Sequence, residues 1–170
     1  NGNNFYDIVN KKNLFDLLIY LKKNLWLKKR VNKNYFKLKC HNFYKNKTFK
    51  RTNLFLKKMR QIDQIKKVNY LKVPSINKIL KKIDWDDLSN GKPSYIHGDL
   101  QFDNIIKTKS NFKLIDWRPD FDGKMNYGDI HYDFAKMLGG MFINYKEIKN
   151  NKFSVKKVKD RKSYLINFPK

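Results

Sequence analysis

Apolar residues recur at helical spacing at Leu14, Leu17, Leu18, Leu21 and Leu25, just after two asparagines, Asn10 and Asn13, either of which can cap a helix. A helix is therefore expected from about residue 13. Its apolar run, Leu14 to Leu27, is broken by Asp16, Lys22, Lys23 and Asn24 and falls short of the roughly 18 unbroken apolar residues that a membrane span needs. Before it, Asn1 to Asn10 reads as a connector entering the domain. Val31 to Asn46 has aromatics (Tyr35, Phe36, Phe43, Tyr44) but no clean period and reads as irregular. A second helix is expected over about Lys47 to Lys67, with Phe55, Met59, Ile62 and Ile65 on one side. Pro74-Ser75 opens a short third helix with Ile76, Ile79, Leu80 and Ile83 turned inward.

The texture changes after the Asn90-Gly91-Lys92-Pro93 turn. Tyr95-Ile96, Ile105-Ile106 and Phe112 to Ile115 are short apolar runs between polar motifs, as short strands should be. Asp129 begins a last helix, through about Phe142, and Phe153 to Pro169 has room for one more short element. The expected class is α+β, mainly helical, without internal repeats.

With 170 residues and 41% apolar composition, one packed domain of ordinary size is possible despite a formal charge of +24. The charge invites a nucleic-acid reading. However, Tyr95 to Asn150 holds eight acids and eight bases, so the excess lies elsewhere in the chain. Only 5 of the 39 bases are Arg, whereas phosphate readers favour the bidentate Arg fork. Lys, Asn, Ile, Phe and Tyr share A/T-rich codons, so a solvated lysine surface is the preferred reading. A nucleic-acid or anionic-surface patch is the alternative. The lone Cys40 excludes an internal disulfide framework and suits a reducing, cytoplasmic setting, and a secretory signal is not expected. His41 beside it lacks partners at zinc spacing, so the pair reads as structural. The chain opens on Asn1 rather than Met, and a piece of something longer is expected.

Candidate chemistry concentrates in His97-Gly98-Asp99-Leu100-Gln101-Phe102-Asp103-Asn104, followed by Leu114-Ile115-Asp116-Trp117. A loop between two strands can aim Asp99 and Asn104 into one cleft, and Asp116, a hairpin's length further on, can reach the same place. Two carboxylates and an amide oxygen are the hard donors that Mg²⁺ prefers while it keeps waters and phosphate oxygens. A carboxylate left free of metal can accept a proton from an attacking hydroxyl, which is the division of labour that phosphoryl transfer requires.

The pattern H-G-D-x-x-x-x-N followed by I-D-W resembles the catalytic and metal-binding motifs of the aminoglycoside phosphotransferase and choline kinase families, which share the protein-kinase-like fold. Gln101 is similar to the second position of their D-x-Q spacing. Gly128-Asp129 with Tyr132-Asp133-Phe134-Ala135-Lys136, and Tyr44 to Thr48, resemble bacterial members associated with surface-polysaccharide synthesis. The resemblance implies the C-terminal lobe of such a fold, with short β-hairpins carrying the catalytic and metal loops. Residues 1–12 would follow the interlobe hinge, and 13–150 would form the helical lobe, with catalytic loop 97–104 and metal motif 114–117. Residues 151–170 would be a basic tail.

The resemblance also implies ATP and Mg²⁺ as cofactors and a small-molecule hydroxyl as acceptor. Asp99 would be the catalytic base, Asn104 and Asp116 the metal ligands, and Asn104, Asp116 and Gln101 the cofactor-binding set. His97 and Asp133 would support the loop. Arg118 and the run Trp117-Arg118-Pro119-Asp120 depart from many relatives. The acids Asp84, Asp86, Asp87, Asp120 and Asp122 are candidates for the acceptor pocket. Nothing before Asn13 can form the nucleotide-gripping N-terminal lobe, so that lobe is expected upstream, and this chain alone is expected to be a poor kinase. Two other classes stand beside this one: a non-catalytic basic binding module, and a metal-dependent hydrolase built on His97, Asp99, Asp116 and His131.

Overall fold

The computed structural model describes residues 2–118, 120–124, 127–142, 145–158 and 162–167, with backbone alone at 145 and 146. In chain order the elements are β1 (Asn3–Asn4), α1 (Phe5–Ile8), α2 (Lys11–Asn24), α3 (Lys33–His41), a π-turn (Asn42–Asn46) and α4 (Lys47–Lys58). A 3₁₀ turn (Arg60–Gln64), β2 (Lys67–Val68), β3 (Leu71–Lys72), α5 (Ile76–Lys81), α6 (Trp85–Leu88) and β4 (Pro93–Tyr95) follow. The chain continues through a 3₁₀ turn (Phe102–Asn104), β5 (Ile105–Lys107), β6 (Phe112–Leu114), β7 (Tyr127–Asp129), α7 (Ile130–Phe142), α8 (Tyr145–Lys149), β8 (Ser154–Lys157) and β9 (Ser163–Asn167). The class is α+β with small sheets. The elements pack into two compact units, residues 1–44 with 86–143, and residues 45–85 with 144–170.

In the first unit, Asn10 is the cap of α2: its side-chain oxygen accepts the Asn13 N–H at 2.9 Å. The helix buries Leu17 and Leu21, and Leu25 just past its end is buried too. Leu18 stays exposed, a narrower stripe than the leucine spacing suggested. The expected connector at residues 1–10 is instead structural. β1 pairs antiparallel with β5, giving the sheet order β1-β5-β6, and Phe5 is fully buried. Its ring meets Phe102 and Phe112 edge-on at 5.0 and 6.0 Å. These residues join Leu17, Leu21, Leu25, Leu100, Ile105 and Met137 in one core cluster.

The stretch expected to be irregular contains α3, capped by Asn32, whose side chain accepts the Tyr35 N–H at 3.0 Å. Phe36, Cys40 and Phe43 sit at helical spacing and bury against Ile96 and Phe121 in a second cluster. Residues 96–105 therefore have one core on each side: Ile96 belongs to the second cluster, and Leu100, Phe102 and Ile105 to the first. β4 pairs antiparallel with β7, which leads directly into α7. The expected strands near 95, 105 and 112 and the helix ending at Phe142 are present as β4, β5, β6 and α7.

In the second unit the expected helix over 47–67 stops at Lys58, because Met59 leaves helical geometry (φ −128°, ψ 46°) and a 3₁₀ turn follows. Phe55, Met59 and Ile62 are exposed. Ser75 caps α5 as its sequence indicated, and Leu80 is its buried residue. The tail holds two strands rather than one short element: β8 pairs antiparallel with β9, and β9 runs parallel to β2 in the order β3-β2-β9-β8.

Candidate active site

The loop that joins the two cores is held by its own backbone and by α7. Gly98 has φ 80°, a left-handed conformation that only glycine adopts without cost, and it turns the chain so that Asp99 follows. Asp133 of α7 is fully buried. Its carboxylate accepts the N–H groups of His97 and Gly98, each at 2.9 Å, and the Trp26 indole N–H at 3.1 Å. Burial pushes its carboxyl up, against the pull of these donors.

His97 is fully buried and bridges two segments. Its Nε2 lies 2.9 Å from the Ile115 carbonyl, and its Nδ1 lies 3.3 Å from the Asp99 backbone nitrogen. A carbonyl must be met by a donor and an N–H by an acceptor, so the ring is the neutral Nε2–H tautomer. Burial holds its pKa below the ordinary histidine range, although nearby carboxylates and the carbonyl contact oppose this. Trp117 packs on the ring at 4.6 Å.

Asn104 follows the same economy. Its side-chain NH₂ donates to the Asp99 carbonyl at 2.8 Å, and its own carbonyl accepts the Ile115 N–H at 3.0 Å. The residue before Asp116 is thereby tied to both Asn104 and His97, which brings Asp99, Asn104 and Asp116 to the same end of the β5–β6 hairpin. Asp116 has φ 55°, a left-handed conformation unusual for a residue with a side chain, and it is exposed. A carboxylate and an amide oxygen fit Mg²⁺, which binds through one or two protein oxygens and takes the rest from water and phosphate. A cleft of about 470 Å³ lined by Asp16, Tyr20, Lys107 and Phe112 lies at the turn end of this hairpin and includes none of the three.

Asp99 is buried and has more partners than its motif indicated. Its Oδ1 accepts the Gln101 side-chain N–H at 2.9 Å and the Lys136 ammonium at 3.0 Å, and its Oδ2 meets the Arg118 guanidinium at 3.3 Å. Burial disfavours the charged form, but Gln101, Lys136 and Arg118 outweigh it and hold the carboxyl below the usual carboxylate range. Gln101, a cofactor-binding candidate in the sequence, thus spends its NH₂ on Asp99. Sequence reasoning assigned no role to Lys136 or Arg118. Lys136 lies one helical turn after Asp133, on the same face of α7, but that spacing alone does not say that it ends on Asp99.

His131 turns to Asp129, with Nδ1 2.9 Å from Oδ1. Among the described residues no three His, Cys, Asp or Glu side chains converge to hold a metal. Of the acceptor-pocket candidates, Asp122 pairs with Lys39 at 3.0 Å and Asp120 accepts the Gly123 N–H in a turn. Pro119 lies outside the described residues.

A buried carboxylate on a braced loop, with oxygen donors at the adjoining strand end, can in chemical terms orient a hydroxyl and hold a divalent cation. Residues 44–149, more than half of the chain, match the model of the phosphotransferase enzyme family (APH), and the chain belongs to that family. It is similar to the protein LicA homolog of Metamycoplasma hominis, with 30% identity over 128 residues, covering 71% of this chain and 45% of that protein. The chain thus spans less than half the length of this curated relative. No solved structure matches it.

Proposed function

We propose that the chain is the C-terminal, catalytic lobe of an ATP- and Mg²⁺-dependent kinase that phosphorylates a hydroxyl of a small molecule, such as an amino alcohol, a sugar or an aminoglycoside-like compound. The observation that carries this reading is the Asp99 carboxylate, buried and oriented beside Asn104 and Asp116 on a loop braced by His97 and Asp133. In this reading Asp99 orients the acceptor hydroxyl and takes its proton. The low basicity that Gln101 and Lys136 impose makes orientation its main contribution until the transition state, when the hydroxyl becomes acidic. Asn104 and Asp116 would hold Mg²⁺, which supplies neutralising charge for the phosphates when bound. Gln101 fixes the carboxylate's rotamer.

The nucleotide-gripping lobe would come from sequence before Asn1, and a cytoplasmic setting would supply ATP. No helix among the described residues is long and apolar enough to cross a membrane. Asp99→Asn in the complete enzyme should lower turnover by about 10²–10⁴-fold without loss of folding. Undiminished turnover would remove Asp99 from the chemistry.

A second reading, a basic binding module for nucleic acid or an anionic surface, draws on the +24 charge. Salt-sensitive binding to generic DNA together with indifference to Mg·ATP would favour it.

A further inference from the structure

The two carboxylates with separate tasks share one cation. Arg118 Nη1 lies 3.3 Å from Asp99 Oδ2, while its Nη2 lies 2.8 Å from Asp116 Oδ2. A transferring phosphoryl would pass between the hydroxyl oriented by Asp99 and the metal ligand Asp116, and that interval is where the guanidinium rests. We propose that Arg118 is a catalytic residue: it neutralises the two carboxylates in the empty lobe, yields them on loading, and then meets the charge of the transferring phosphoryl. The inference rests on the phosphotransfer reading above.

Four observations support this role. The Arg118 backbone N–H donates to the His97 carbonyl at 2.9 Å, so its main chain is pinned to the loop whatever its side chain does. That side chain is 64% exposed, and a solvated ion pair of this kind is weak enough to exchange partners. Asp99 keeps a counterion when Arg118 leaves, because Lys136 and Gln101 hold Oδ1, and the oxygen released is Oδ2. Finally, this is one of only 5 Arg among 39 bases, so a planar fork occupies the position in a chain that otherwise uses Lys nearly everywhere.

In the reaction, the acceptor hydroxyl oxygen forms a bond to the terminal phosphorus of a nucleoside triphosphate. The bond from that phosphorus to its bridging oxygen breaks, and the nucleoside diphosphate leaves. The hydroxyl proton goes to Asp99 Oδ2, the oxygen that Arg118 has vacated. The guanidinium donates to the phosphoryl oxygens, an interaction that strengthens as charge develops.

Two measurements test the assignment. In the complete enzyme, Arg118→Lys and Arg118→Met should each lower kcat by about 10²-fold or more, with KM for nucleotide and acceptor within about threefold and thermal midpoints unchanged. An unchanged or raised kcat would overturn it, making Arg118 a simple counterion or a plug. In the chain described here, Mn²⁺ titration followed by electron paramagnetic resonance should show Arg118→Met binding the ion about threefold to tenfold more tightly than the unaltered chain, because Asp116 is no longer shared. Lys136→Met, which removes a charge from Asp99 without touching Asp116, should change the affinity far less. Equal affinities for Arg118→Met and the unaltered chain would overturn the proposal. An unaltered complete enzyme that neither binds Mn²⁺ nor turns over ATP would instead remove the phosphotransfer reading, and the role of Arg118 with it.

Discussion

Asp133 touches none of the groups assigned to chemistry except through the backbone, yet it determines where they stand. Three N–H donors, from His97, Gly98 and Trp26, end on its buried carboxylate. Removing it leaves buried donors without an acceptor, at about 1–3 kcal/mol for each group that water does not reach. Asp133→Ala should therefore lose about 3 kcal/mol or more in urea unfolding, and a loss below 1 kcal/mol would mean that the loop is held by other contacts. Gln101 and Lys136 hold Asp99 by its side chain in the same way that Asp133 holds its neighbours by their backbone. The motif residues themselves were legible in the sequence because they lie within eight consecutive positions and one hairpin. Their charge partners were not, because nothing in the pattern around Lys136 says that it ends on Asp99, 37 positions earlier.

At the scale of elements, the first ten residues carry more weight than their polar composition suggests. Phe5 is fully enclosed by Phe102, Phe112 and the α2 leucines, and Phe5→Ala should cost about 3–5 kcal/mol in chemical denaturation. A small effect would show that β1 and α1 merely lie on the surface. α3 makes a second point. Cys40 is buried between its neighbours and Gly91, and burial, with Asp129 nearby, pushes its thiol up to about 12. Thiolate is the reactive form, so native protein at pH 9 should resist iodoacetamide, and alkylation should appear only on unfolding. Fast native alkylation would show that this cluster opens. Aromatic residues at mixed spacing hid α3 from the periodicity, whereas Phe36, Cys40 and Phe43 alone keep it.

The molecule as a whole carries its charge unevenly. Residues 45–85 hold thirteen Lys or Arg against Asp63 and Asp84, while 95–150 is neutral. Like charges at this density repel one another in the compact state, and salt screens them within about 10 Å at 0.1 M. Raising NaCl from 20 to 300 mM should therefore raise the thermal midpoint by several degrees. A falling midpoint would mean that ion pairs such as Asp122 with Lys39 outweigh the repulsion. The same screening should abolish any generic DNA binding over that range.

By itself the sequence determined the family, the order of the motif residues, an asparagine-capped helix with its leucine stripe and the short strands around the loop. Each of these is written in spacings of a few residues, where backbone geometry alone dictates which side chains share a face or a turn. Tertiary structure decided that Phe5 belongs to the core, that the tail pairs with Lys67-Val68 nearly a hundred positions earlier, and that Lys136 and Arg118 converge on Asp99. These are contacts between segments distant along the chain, and they arise only when burial of the two cores brings α7 and the strand ends to the loop. Local periodicity holds no record of them, because a lysine on a solvated face and a lysine on a buried carboxylate have the same neighbours in sequence.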